Sequence, residues 1–445
     1  MTTAVALSAA CAAPPSDGVP GGAGAPAGGP AVLRVPSAYA SVQRAVDVAR
    51  PGDLVLVAPG VYREAVAMRR PGIVLRGEDR NQTVIDGEFR RSNGVTVTGA
   101  GGVVENLTVR NHLANGVLFT GVTDEALQGS GAGGGAGYDP LDTVRFPPLN
   151  GFRATRVTAH NNALYGIYSF DARGGVIEDS YASGHSDSGV YVGQCDPCDT
   201  LVRGNTVEHN AIGMEVTNAS RGLWFAGNTI RANRVGITVN SNNLEALGPQ
   251  HEATVVGNLI VGNNDAASPE QADGGFGIGI GVGGGTRNLF LNNRIEDHRV
   301  ASFVLRDVQG YPVADNRITG NALGAEDLAL LLEAPRTRGN CLTGGVGGDG
   351  DAGAPRVLPE PAPAGLTRCP GVDEPVGAGA DGGAGAKGTA RPRVTPPPGV
   401  SFRVVRAPAP QPGLPDALRA PARPARNLPG PVRVEDHPLP AAPTS

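Results

Sequence analysis

Two tyrosines and a glutamate recur at one point of a repeating phrase, and no other residues of this 445-residue chain look better suited to chemistry. Tyr168 follows Gly166-Ile167, Tyr191 follows Gly189-Val190 and Glu215 follows Gly213-Met214, so each stands two residues after a glycine. A tyrosine ring offers a flat apolar face and a polar tip, and carboxyl and amide groups bond hydroxyls. That combination suits a sugar polymer. Asp171, Gln194, Asn218, Asn240 and Asn242 follow the same phrases and extend the polar set. His185 and Asp187 precede the Tyr191 phrase, and with Glu215 they are the candidates for proton transfer.

These residues can act together only if the chain brings distant phrases into register. A unit near 23 residues does so: GNTVEHNAIGMEV (204–216), GNTIRANRVGITV (227–239), NNRIEDHRVASFV (292–304) and DNRITGNALGAED (315–327) align with Asn205, Asn228, Asn293 and Asn316 at one position. Further copies are TRVTAHNNALYGIYSF, EDSYASGHSDSGVYV and GNLIVGNND, the last parted from GFGIGIGV by an insert. In GIYSF, GVYVG, GMEVT and GITVN every second side chain is apolar, which is a strand pattern. A fixed period built of strands means one turn of a solenoid stacked many times. The fold class is therefore all-β, a right-handed parallel β-helix whose coils stack at roughly 4.8 Å.

In that architecture Val117, Ile167, Val190, Met214, Ile237 and Ile278 point inward as an aliphatic stack. The next residues, Leu118, Tyr168, Tyr191, Glu215, Thr238 and Gly279, form an outward column on which a polysaccharide binds. The Asn series, with Asn106 and Asn258, sits at a bend where each amide bonds its copy on the next coil. The repeats define one domain over 31–342. Residues 1–30 form a leader and linker, and 343–445, rich in Pro, Ala and Gly, form a disordered tail. The insert 121–150 leaves the coil directly after Leu118 and is a candidate frame for the binding face.

Charge narrows the partners. From Lys387 onward nine Lys or Arg stand against three Asp or Glu, so that stretch carries +6 and the net charge of −5 leaves −11 on the rest. An acidic body argues against nucleic acid. No apolar stretch is long enough for a transmembrane helix, so membrane attachment would run through lipid. A monomer is expected.

The segment 35–87 resembles the opening of pectin methylesterases and of many secreted β-helix proteins, through Gly60-Val61-Tyr62-Arg63-Glu64 and Ile85-Asp86-Gly87. The resemblance implies a short helix, about Ser41–Ala49 with Ser41 as N-cap, covering the open end of the first coil. It does not carry catalysis. The Asp, Gln and Arg motifs of those esterases are missing after residue 90, and Gly184-His185-Ser186 with Asp187 only faintly resembles the turn of polygalacturonases. Related lyases hold calcium beside an Arg or Lys base, which makes calcium a candidate cofactor here, although the single lysine is Lys387 in the tail. The expectation is a glycan-binding protein, with a lyase, hydrolase or epimerase acting on acidic glycans as the alternative and a metal-handling accessory protein as the second.

The first residues, MTTAVALSAACAAP, resemble a bacterial lipoprotein signal, which implies lipidation of Cys11 and an extracellular or cell-surface location. Under that reading the other four cysteines pair, Cys195 with Cys198 and Cys341 with Cys369. A metal site of Cys195 and Cys198 with His185 and Asp187 is the competing reading of the first pair.

Overall fold

The computed structural model describes residues 29–128, 141–271, 274–324, 328–346, 355–363, 365–370, 394–426 and 428–443. Cys11, most of the 1–30 leader and Lys387 lie outside them. Short strands follow one another around a coil, and each pairs in parallel with its counterpart one turn on. One column of strands runs from Val32–Val35 to Leu366–Thr367, a second from Gly60–Tyr62 through Arg294–Glu296 to the far ends of Arg317–Leu323 and Asn340–Val346, and a third from Val66–Met68 to Val357–Leu358. Parallel pairing uses every backbone group along the stack, so open edges remain only at its ends.

At the first end, helix α1 (Val42–Val48) buries Val42, Ala45 and Val46 against the coil. Ser41 accepts a hydrogen bond from the Arg44 amide at 3.2 Å. Glu64 takes the amides of Val42 and Gln43 at 3.0 and 2.9 Å, so a carboxylate sits where the helix dipole favours one. At the other end, the Cys341–Cys369 disulfide ties the last strands together. Closing 28 residues contributes about 3.5 kcal/mol in the chain-entropy picture.

The aliphatic stack is Val117, Ile167, Val190, Met214, Ile237 and Ile280, all buried. Ile280 replaces the expected Ile278, which pairs with Val235 instead. In GFGIGIGV a shift of two residues keeps every side chain on its face, so the pattern alone cannot fix the register.

Buried amides run beside this core. Asn205 donates to Asn228, Asn228 to Asn258, Asn258 to Asn293 and Asn293 to Asn321, each through both its backbone and its side-chain N–H at 2.9 to 3.0 Å. Asn316 belongs to another ladder, Asn288 to Asn316 to Asn340, because the coil leaving Asn293 spans 28 residues rather than 23. Asn106 stands outside the series and donates to the Gly77 carbonyl. A further ladder mixes residue types. His112 N–H bonds Asn162, Asn162 N–H bonds His185 Nδ1, and His185 N–H bonds Asn210, which continues through Asn233 and Asn263 to His298.

The C-terminal tail is the main departure from expectation. It keeps an irregular backbone, with one 3-10 turn at Val434–Asp436, but residues 394–426 and 428–443 lie along the helix as a U-shaped strap. Its first arm meets Arg234 at Pro397, Asn161 at Phe402 and Val405, and Arg80 at Pro412. The second arm returns over the first strand column, where Ala425 packs on Leu54, Leu56, Val74 and Val103, and Leu428, Val432 and Val434 pack beside Val176, Leu201, Ala226 and Val256. At the bend, Arg76 is 2% exposed, pairs with Glu105 at 2.6 Å and donates to the carbonyls of Ala417, Ala420 and Pro421. Four hydrogen bonds and the ion pair with Glu105 surround it, the condition for burying a guanidinium.

Two predictions follow from the ladders and the strap. Burial pushes His185 and His112 down to about 4 and His298 to about 3. With folded values below the ordinary 6.5, these rings favour the native state fully above about pH 6.5, and that contribution is lost as pH falls toward 4. His185→Asn places the amide found at 162 and 210, so its melting temperature should fall less between pH 7 and pH 5 than that of the parent chain. An identical pH dependence in the two proteins, followed by circular dichroism, would count against the ladder role. Truncation after residue 393 should red-shift the emission of Trp224, the single tryptophan, and cause self-association in light scattering, because the apolar outer face opens.

Candidate functional site

The third strand column presents its outward side chains in one line, Leu118, Tyr168, Tyr191, Glu215, Thr238 and Gly281. Gly281 takes the place expected of Gly279, by the same two-residue shift that moves Ile278. The rings are outside the coil but they are not open platforms. Tyr168 is 7% and Tyr191 2% exposed, because other parts of the chain cover them. Tyr165, which the sequence reading passed over, stacks on Tyr168 with centroids 4.3 Å apart and planes 8° apart, and lies 5.0 Å from Tyr191. Tyr168 and Tyr191 meet edge to face at 4.8 Å, and Phe170 completes the group.

Two carboxyl groups lie against these rings. Ser188 Oγ donates to Glu215 Oε2 at 3.0 Å, and Thr217 Oγ1 to Oε1 at 3.3 Å. Burial, then the charge of Asp187 and a hydrogen bond with it, hold the Glu215 carboxyl well above the usual carboxylate range. Glu215 therefore holds a proton more readily than an ordinary carboxyl, beside Asp187. Asp187 is half-buried and receives the Gln271 side-chain amide at 2.9 Å. Burial, then Asp187 and Glu215, also raise the Tyr165 hydroxyl far above its ordinary value.

The remaining expected ligands separate into different roles. Gln194 is fully buried and donates to Glu245 at 2.7 Å, which takes it off the surface on which it was expected. Asn218 is buried and donates to the carbonyls of Asn242 and Ala246 at 2.7 and 2.9 Å, bracing the loop at 242–250. Asn240 is half-buried at a strand end, with Thr217 as its neighbour on the preceding coil. Asp171 is fully buried, its two oxygens lack a hydrogen-bond partner among the described residues, and burial raises it to about 8. That burial withdraws Asp171 and Asn218 from the surface on which they were expected. His185 is withdrawn too: it serves the ladder, with Nδ1 facing the Asn162 amide and Nε2 3.3 Å from the Ala159 carbonyl.

The Cys195–Cys198 disulfide is formed and buried, so its sulfurs are not metal ligands. No group of three or more His, Cys, Asp or Glu is placed to hold a metal among the described residues, so Asp187, Glu215 and Glu245 do not fit calcium. In the 121–150 insert, residues 129–140 lie outside the described ones. The arm before them runs toward the first coils, with Glu125 paired to Arg69 and Asn93 donating to Gln128. Cover over the tyrosines comes instead from Tyr165 and from the loops that carry Glu245 and Gln271.

Because its ring is packed rather than exposed, Tyr168→Ala should destabilise the protein by about 3 kcal/mol, and Tyr168→Phe by much less. Urea unfolding of both variants checks this; equal and negligible losses would show the ring to be a surface group.

Residues 69–260 match the family described as the right-handed β-helix region. No curated protein matches the chain. Among solved structures, the A-module of mannuronan C-5 epimerase AlgE6 from Azotobacter vinelandii is similar at 16% identity, with 74% of this chain and 93% of that one covered and a TM-score of 0.47. The A-module of AlgE4 from the same organism gives 16% identity, coverage of 74% and 95%, and a TM-score of 0.43. An alginate lyase from Paenibacillus sp. gives 14% identity, coverage of 76% and 98%, and a TM-score of 0.36. The parallel columns continue in step beyond the matched region to Val357–Leu358, so the described residues fold as a right-handed parallel β-helix.

Proposed function

We infer that this is an exported protein that binds an extracellular or cell-wall glycan on the face formed by the third strand column. The observation that carries the reading is Glu215 in line with Tyr168 and Tyr191 on the third column, with Tyr165 packed on both rings and Asp187 beside Glu215. Carboxyl oxygens, the Gln271 amide and the edges of stacked rings are the groups that hold sugar hydroxyls and ring faces. Two disulfides fit an oxidising compartment. Lipidation of Cys11 remains part of the proposal and gives the protein a place at the cell surface.

One feature favours a second reading, an enzyme acting on polysaccharide. A carboxyl that keeps its proton beside a carboxylate is the arrangement that general acid catalysis requires. Glu215 would give a proton to the leaving oxygen while Asp187 stays charged.

The full chain on an array of plant, algal and bacterial cell-wall glycans tests the first reading, and calorimetry follows each hit. In a binding protein Glu215→Gln should keep affinity within about threefold, because a neutral amide replaces a neutral acid. In an enzyme the same variant should bind and lose turnover by at least about a hundredfold. An array without hits would reject glycan binding.

A further inference from the structure

The strap and the candidate site meet through one loop. Loop 264–271 is rooted by the Asp265 amide on the Asn233 carbonyl at 3.1 Å, by Asp265 Oδ2 on His209 Nδ1 at 2.9 Å, and by the Ser268 hydroxyl on the Ala232 carbonyl at 3.1 Å. Its far end places the Gln271 amide on Asp187, so one acceptor of the carboxyl pair is already occupied. The first arm of the strap lies on the outside of this loop. Val400 N–H donates to the Ser268 carbonyl at 3.2 Å, and Gly399 N–H to Glu270 Oε2 at 3.1 Å. Arg234, itself buried, donates to the Pro397 carbonyl at 2.6 Å and lies 3.7 Å from the same Glu270 oxygen, tying strap, loop and coil at one point.

The seam leaves no room for a side chain on the strap. A Cβ on Gly399 would stand 2.6 Å from the Glu270 amide nitrogen and 2.7 Å from its Cβ. The second arm is anchored elsewhere, by Arg76 and by the apolar contacts around Leu428, so the seam can open while the strap stays attached.

We propose that the strap gates the carboxyl site: seated at Pro397–Val400 it holds loop 264–271 down with Gln271 on Asp187, and release of this seam lets the loop lift and opens Asp187 and Glu215 to a ligand. The ligand is the glycan of the reading above, on which this part rests. The coupling of strap to loop stands on the contacts alone. A loop whose closed form excludes the ligand lowers apparent affinity by the fraction of molecules that are open.

Carboxyl labelling tests the gate without any glycan. The full chain is treated with a water-soluble carbodiimide and glycine ethyl ester, and modification of Asp187 and Glu215 is followed by peptide mass spectrometry. Gly399→Leu should speed labelling of the pair by about tenfold and raise amide exchange across 265–271, with Trp224 emission unchanged because the second arm stays seated. Glu270→Ala, which removes the acceptor without forcing bulk into the seam, should act in the same direction and serves if Gly399→Leu does not fold. Parent-like labelling in a folded variant whose Val400 amide exchanges faster would overturn the gate. Faster labelling together with an empty glycan array would uphold the gate and reject the glycan reading. Labelling unchanged while the array gives hits would do the reverse.

Discussion

Parallel backbone pairing between successive coils is the constraint on which the rest depends. It forces every turn to bring the same kind of residue to the same height, so a polar group at a bend must repeat or be left unpaired in the interior. An orphaned buried amide costs about 1 to 3 kcal/mol, more than a typical hydrogen bond contributes. The asparagine ladders meet that demand, each amide giving to the next coil and receiving from the one before. Histidine enters the same rank at 185 and 298, where an imidazole nitrogen can replace an amide oxygen while the ring stays neutral, and at 112, which joins only through its backbone N–H. His185 is taken up by the ladder, whereas Glu215 and Asp187 stand outside it.

The coils were legible in the residues because period-two alternation and a 23-residue spacing have no other economical solution. The inward stack from Val117 to Ile237 was legible for the same reason, whereas the capping helix came from the resemblance of 35–87 and the disulfide partners from cysteine counting under an export reading. Register was lost where the pattern repeats within itself. GFGIGIGV allows two settings on one face, and the two asparagines of DNRITGN, five residues apart, allow two ladder assignments. Tyr165, Glu245 and Gln271 were not legible as site residues, since loops that fold over a column leave no periodic mark.

The strap had a signal that composition concealed. Leu54, Leu56, Val74, Val103, Val176, Leu201 and Val256 all point outward from the first column, and a strand that is apolar on both faces requires cover on both. A segment of prolines, alanines and arginines provides it without forming a core of its own. Proline supplies extended backbone with little entropy left to lose and carbonyls free to accept, and the arginines and asparagines of the coils supply the donors. Low complexity in such a segment therefore describes its sequence and not its freedom.

Arg76 shows what this arrangement asks of a chain made from one end. Its carbonyl acceptors lie 341 to 345 residues downstream and are made only after the coils they cover. Until they arrive, the first coils can stack, but this guanidinium stays hydrated and the apolar stripe beside it stays bare. The protein therefore passes through a stage in which a nearly complete solenoid carries an open apolar flank, closed only when the strap is laid down.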